Sequence, residues 1–353
     1  MLMQRSYLLF ENSIHSKHTL LQYRTQLDRF IIFFKLKDYD SLTRMNPKML
    51  QQMVEDYVMM LKSKGLRRNT IYSPISAIQL FCETNDIIIN WKKIKRLLPR
   101  QEKPLGSGAY TTEHVAKMIK FTPDLRARAI IHFLAATGVR VGAMPELRIK
   151  HIKEMSEGCK AVIVYPGDKE EYISFLTPEA SKTLDEYLDK RRNDGEYLNE
   201  ESPLFRQKYQ IGIQKPKALS RQSFQAIIDR TLRRSGLRTG RTKERREIQL
   251  DHGFRKRWDT IMKTTDGMKI VLVEKMFGHS ITIPLDDTYL VPSIDKLFNE
   301  YRKATPELTV SSEERQEAII RQQKKELDEK SEMKNLLLEQ GAKIKRLEDL
   351  AKG

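Results

Sequence analysis

The stretch AVIVYPGDKEEYISFL, residues 161–176, decides the fold. Ala161 to Tyr165 is a β-branched run, Pro166 to Asp168 is turn chemistry, and Tyr172 to Leu176 resumes an extended pattern. The reading is a β-hairpin with Lys169 at or beside its tip. Thr177 and Pro178 then cap a new helix. Outward in both directions the periodicity is helical. Leu125 to Thr137 is an apolar helix stopped by Gly138, and Ser220 to Ser235 places Phe224, Ile227, Ile228 and Leu232 on one face before Gly236. The expected class is mostly α with a small β-hairpin or sheet, an α+β domain.

Toward the N-terminus strands are not needed. Leu20, Tyr23, Leu27, Phe30, Ile31 and Phe34 recur at helical spacing. Pro47 opens a second helix ended by Gly65, and Asn69 to Thr84 makes a third with Pro74 near its start. Residues 1–98 are expected to be a small helical domain and 109–305 a mixed one. Between them, from Trp91 to Gly108, Lys92, Lys93, Lys95, Arg96, Arg100 and Lys103 face a single acid, Glu102, among prolines and glycines. This reads as a basic interdomain linker, with 99–108 as its centre. Beyond Pro306 acidic and basic residues nearly balance at i,i+4 spacing, and Met333, Leu337, Ile344, Leu347 and Ala351 approximate a heptad seam that Gly341 interrupts. Residues 306–353 are expected to be a charged helical tail, either a solvated single helix or a short coiled coil.

Charge narrows the partner. Of 353 residues, 64 are Lys or Arg against 47 Asp or Glu, a formal net charge of +17 that favours a polyanion, nucleic acid or an anionic membrane. The tail is close to neutral, so the excess belongs to the two folded domains. No apolar run approaches a membrane span or a signal peptide, and two cysteines, Cys82 and Cys159, cannot build a disulfide framework or a cysteine-rich metal site. A cytoplasmic protein, nucleoid-associated when bound to DNA and without membrane contact, is expected.

Several residues could carry chemistry, each with an ordinary role to weigh against it. Arg140 follows a helix stop in Ala136-Thr137-Gly138-Val139-Arg140-Val141-Gly142, where an arginine is more often a surface cap. His252 and Arg255, three apart, would share one helix face, although a solvated basic face is the simpler reading for 230–257. His279 follows the helix-stopping Gly278, where most histidines are merely exposed. Tyr289 needs cationic neighbours to act as a nucleophile, its phenol having a pKa near 10. Taken together, two arginines, two histidines, a hairpin lysine and a late tyrosine suit phosphodiester transesterification. The arginines would grip nonbridging oxygens and Lys169 would protonate the leaving 5′ oxygen. That chemistry calls for no metal or cofactor, and neither an HExxH nor a Walker A pattern is present.

The order Arg in TGxR, Lys on a hairpin, HxxR, GH and a terminal Tyr resembles the tyrosine recombinase (phage-integrase type) family over about Lys17 to Lys303. Its wording is nearest to integrases of archaeal mobile elements. The resemblance implies a SAM-like core-binding domain joined to a catalytic domain. Within it Arg140 and Arg255 would be phosphate clamps, Lys169 the general acid, His252 an acid/base, His279 a phosphate hydrogen-bond donor and Tyr289 the nucleophile, joined to a DNA 3′ phosphate. It further implies double-stranded DNA as partner, four protomers on paired sites, and backbone contacts from the linker cations together with Lys256 and Arg257. Two departures are visible: Ala143 stands where bacterial members commonly carry an acid, with Glu146 nearby, and the step from His279 to Tyr289 is one residue longer than usual. An inactive DNA-binding relative and a type IB topoisomerase are the alternatives.

Overall fold

The structure, a computed structural model, describes residues 4–101, 108–208, 216–238, 250–279 and 291–351. The chain divides into two compact units, Met1–Pro104 and Leu105–Gly353.

The first unit is helical throughout: α1 (Arg5–Asn12), α2 (Lys17–Phe33), α3 (Asp40–Arg44), α4 (Pro47–Ser63), α5 (Arg68–Thr84) and α6 (Trp91–Leu97). The Ser16 hydroxyl accepts the Thr19 N–H to start α2, and the Asn46 side chain with Pro47 starts α4. Leu27, Phe30, Val54, Ile75, Ile78 and Phe81 are fully buried where α2, α4 and α5 meet. Helix α6 corrects the linker expectation. Asn90 caps it, and Ile94 and Leu98 are buried in the same core, so Lys92, Lys93, Lys95 and Arg96 ride a helix of the first unit. Lys103 and most of the expected linker lie outside the described residues.

The second unit holds α7 (Thr112–Lys120), α8 (Leu125–Thr137), β1 (Ile152–Glu154), β2 (Lys160–Val164), β3 (Tyr172–Leu176), α9 (Pro178–Asn193), α10 (Arg221–Arg234), α11 (His252–Thr264), α12 (Ile270–Phe277), α13 (Ile294–Lys303), α14 (Thr305–Leu308) and α15 (Ser312–Ala351). Strands β2 and β3 form the expected hairpin, in register from Lys160 opposite Leu176 to Val164 opposite Tyr172. A short third strand, β1, adds to β2, making an antiparallel sheet of order β1-β2-β3. Helix α8 is buried at every position from Ala129 to Thr137, as its nearly continuous apolar sequence requires of a central helix. Beside it a second cluster gathers Trp258, Met262, Phe277, Phe298 and Tyr301 around Phe175 of the sheet.

The end of the chain belongs partly to this core. The Glu179 carboxylate accepts the main-chain N–H groups of Val310 and Ser311 at 2.8 and 3.0 Å, and Leu308 is buried. From Ser312 onward α15 runs as one 40-residue helix, with Leu327, Met333, Leu337 and Ile344 exposed.

Candidate active site

Three helix ends build the site. Helix α8 stops at Gly138 and α12 stops at Gly278, both in the left-handed conformation with φ near +60°. Each glycine also sits against an aromatic side chain. A Cβ on Gly138 would stand 2.8 Å from Trp258, and one on Gly278 would stand 2.5 Å from Tyr172 Cε1. Glycine is therefore required twice over, by backbone sign and by space. The third end is the start of α11, which carries His252 on its first residue and Arg255 one turn later.

Arg255 joins the other two ends. It is 6% exposed, donates through Nη1 to the Gly138 carbonyl at 2.9 Å and through Nη2 to the Phe277 carbonyl at 2.6 Å, and lies 3.5 Å over the Phe277 ring. Carbonyls at helix C-termini lack intrahelical partners and carry partial negative charge, so a guanidinium satisfies both at once. Burial pulls its pKa down to about 10, leaving it cationic at neutral pH. Arg140 Nη1 donates to the Gly278 carbonyl at 3.3 Å. His279 follows directly, its Nδ1 2.7 Å from Glu274 Oε2. Arg140, Arg255 and His279 thus converge on the turn that ends α12.

Beside them a cleft of about 190 Å³ is lined by Arg140, Tyr165, Arg221, Asp251, His252 and Arg255. A larger cleft, about 520 Å³ at the base of α15, shares none of these residues and carries the mixed side chains of Glu157, Arg302 and Arg321. The smaller one concentrates the cations. Lys169 lies exposed in the loop joining β2 to β3 and does not line the cleft. Tyr289 falls in 280–290, outside the described residues. Ala143 is buried and Glu146 exposed, and the described partner of Arg140 is the Gly278 carbonyl.

Among the expected DNA-contacting cations, Arg257 is corrected. It is 2% exposed and donates to the carbonyls of Ala135, Glu307 and Leu308 and to the Thr112 hydroxyl, which makes it a brace between α8 and α14. Lys256, its neighbour, is half-buried. On the first unit Lys92, Arg96 and Arg100 are exposed, Lys93 pairs with Glu55 at 2.7 Å, and the Lys95 ammonium lies 5.9 Å over the Tyr72 ring.

Three residues at the site were not anticipated. Tyr165 follows β2 directly with φ +53, a left-handed conformation that residues other than glycine rarely take, and its half-buried phenol lines the cleft. Burial pushes its pKa up while Arg140 and Arg255 pull it down. The signal available was its place immediately before Pro166. Arg221 opens α10 one residue after its Ser220 cap, where composition could not mark it out. Glu274, the partner of His279, became visible only with the turn at Gly278.

The phage integrase family model matches residues 110–285, and the model of the phage integrase N-terminal SAM-like domain matches 6–83. The chain is 29% identical over 182 residues to the tyrosine recombinase XerC of Staphylococcus carnosus, covering 48% of this chain and 57% of that protein. It is 27% identical over 202 residues to XerC of Staphylococcus epidermidis strain RP62A, covering 54% and 66%. The chain therefore spans little more than half the length of the first of these relatives. Both are staphylococcal, and the archaeal subgroup suggested by motif wording finds no support in them. Among solved structures, XerH bound to palindromic difH substrate aligns with TM-score 0.55 at 20% identity over 81% of this chain and 75% of that one. The Tn1549 transposon integrase in complex with a circular intermediate DNA aligns with TM-score 0.54 at 14% identity, over 84% and 98%. These likenesses establish the shared, mostly helical fold with its small antiparallel sheet. With both halves matched by their own models, the chain belongs to the phage integrase family.

Proposed function

We propose that this chain is a site-specific DNA recombinase that cleaves and rejoins strands through a 3′-phosphotyrosyl intermediate. The observation that carries the reading is the meeting of Arg140, Arg255 and His279 at the end of α12, beside a cleft that also holds His252. Clustered guanidinium groups offer planar, charge-assisted donors to the nonbridging oxygens of a phosphodiester, and they offset the charge gained in the transition state. In the reaction the Tyr289 oxygen attacks phosphorus while its proton passes to His252. The bond from phosphorus to the 5′ oxygen breaks, and Lys169 supplies the proton that this oxygen needs. One phosphodiester is exchanged for another, so the energy of the broken bond is kept, and a 5′ hydroxyl of a second duplex can reverse the step. No ATP, cofactor or metal enters this balance.

Double-stranded DNA is the proposed partner. The exposed Lys92, Arg96 and Arg100 on the first unit would take phosphate contacts, and such contacts release counterions, so affinity should fall steeply with salt. Four protomers on paired sites, acting in the integration or excision of a mobile element, complete the proposal. The test is a pool of nicked duplexes of randomised sequence, incubated with the protein and quenched in detergent. Wild type should form a denaturant-resistant adduct whose sequencing reveals the site, and Tyr289→Phe should form none. Absence of any wild-type adduct would favour an inactive DNA binder. Relaxation of supercoils without site preference would favour a topoisomerase.

A further inference from the structure

We propose that Glu274 is the positioning residue of His279, fixing the ring so that Nε2, and not Nδ1, meets the phosphate. The inference rests on the reading of His279 as a phosphate donor. A loop histidine is ordinarily free to rotate and to exchange tautomers. Here one residue holds both its main chain and its ring. The left-handed turn at Gly278 folds the chain back so that the His279 N–H donates to the Glu274 carbonyl at 3.3 Å while Nδ1 lies 2.7 Å from Glu274 Oε2. A carboxylate can only accept, so Nδ1 carries hydrogen and Nε2 is the nitrogen left for a ligand; it donates to a phosphate oxygen in the imidazolium form, in which both ring nitrogens carry hydrogen. The Phe277 ring meets the imidazole edge to face, centroids 4.4 Å apart, and restricts its tilt.

Glu274 is itself held. Its second oxygen, Oε1, lies 2.5 Å from the Lys263 ammonium of α11, which also pairs with Asp259 at 2.8 Å. The two carboxylate oxygens have separate partners, so rotating the group would break one of them. Burial alone would raise the Glu274 carboxyl, but Lys263 and His279 hold it below the usual range, and it stays ionised at neutral pH. Among the described residues, the following charged and titratable groups face the Glu274–His279 pair. Helix α11 contributes Asp259, Lys263 and Arg255, the last stacked on Phe277; the segment after α8 contributes Arg140 through the Gly278 carbonyl; β3 contributes the Tyr172 phenol beneath Gly278. On α13, Glu300 and Lys303 pair with each other, and Glu300 also accepts the Lys269 N–H at the opposite end of α12. A surface salt bridge would explain Lys263 with Asp259, but not a carboxylate that divides its oxygens between an ammonium and an imidazole.

The test uses the full chain and two readouts. In a nitrogen-15 spectrum, with His279 assigned by its loss in His279→Gln, wild type should show Nδ1 protonated. Glu274→Gln keeps the size but can either donate or accept, and it should show a mixture of tautomers. In the nicked-pool assay Glu274→Gln should form adduct about tenfold more slowly or worse, a part of the roughly 10²–10⁴-fold that a positioned proton-transfer group supplies, with DNA affinity unchanged. Lys263→Met, which frees the carboxylate to rotate, should show a smaller loss of the same kind. An unchanged tautomer signal in Glu274→Gln, or adduct formation at the wild-type rate, overturns the inference. A wild type that pins the ring yet cleaves nothing would instead overturn the proposed function.

Discussion

Gly278→Ala tests the argument that a helix stop shapes the site. Two costs fall on the alanine. The left-handed backbone, φ +61, disfavours an L side chain by roughly 1–2 kcal/mol, and its Cβ would enter the buried Tyr172 ring, with Cε1 at 2.5 Å, adding about 1–3 kcal/mol of overpacking. Restriction of the unfolded chain returns roughly 0.4–1 kcal/mol, so the net loss should be about 2–4 kcal/mol. Gly267→Ala supplies the reference. Gly267 has φ +70 but nothing within 4 Å of the added Cβ, so only the backbone part applies and the net loss should be about 1 kcal/mol or less. Urea unfolding would be followed by Trp258 fluorescence in a Trp91→Phe background, because Trp258 stacks on Phe277 at 5.1 Å and reports the second unit alone. With a urea slope of about 3 kcal/mol/M, Gly278→Ala should lower the midpoint by roughly 1 M. Equal midpoints for the two variants would refute the claim that the Tyr172 ring closes this turn.

Arg255→Lys keeps the charge but loses the fork that spans the Gly138 and Phe277 carbonyls, so single-turnover adduct formation should fall about 10²-fold or more; a fall below about threefold would remove Arg255 from the chemistry. His132, buried in α8, has its pKa lowered to about 4 by burial and by Arg128. Its folded value lies below the unfolded one near 6.5, so the stability it contributes is complete above pH 6.5 and is lost as pH falls toward 4, by roughly 3 kcal/mol. His132→Gln should flatten that part of a stability–pH curve, and an identical slope in the variant would contradict the assignment. Ending the chain at Thr305 removes the buried Leu308 and the segment gripped by Glu179, so the second unit should lose stability. Ending it after Arg321 removes helix whose described side chains are all exposed and should leave the urea midpoint unchanged while abolishing any assembly that depends on α15, as sedimentation would show.

Much of the fold was legible because its signals are local. The hairpin at 161–176 has β-branched strands around turn chemistry, and the helix ends at Gly138 and Gly278 announce themselves by residue type. Helix α6 was missed for the opposite reason. Its short run of cations before Pro99 reads as linker, whereas two side chains, Ile94 and Leu98, anchor it in a core assembled from distant residues. At the site, motif order picked out Arg140, His252, Arg255 and His279 as candidates, but a charge run cannot say which way each cation faces. Arg255 and Arg257 are two residues apart on α11 and both are buried, one under Gly138 and Phe277, the other under Ala135 and Leu308. Most of the acceptors they meet are main-chain oxygens, which no side-chain pattern encodes. Tyr165 and Glu274 stayed hidden because a backbone reversal, at each residue itself or just beyond it, decides their neighbours.

A single guanidinium that tethers two helix termini has a bearing on how such a protein can drift over generations. Arg255 ties the carbonyls of Gly138 and Phe277, and Gly278 ends the helix that Phe277 closes, so a change at any of the three disturbs the seating of the others, and a change in the proposed site registers as a change in the scaffold. Loop residues such as Lys169, exposed and without a comparable tie among the described residues, can be replaced with far less disturbance to the scaffold, whatever the replacement does to the chemistry. Diversification of this architecture should therefore run along its loops while the keystone stays put.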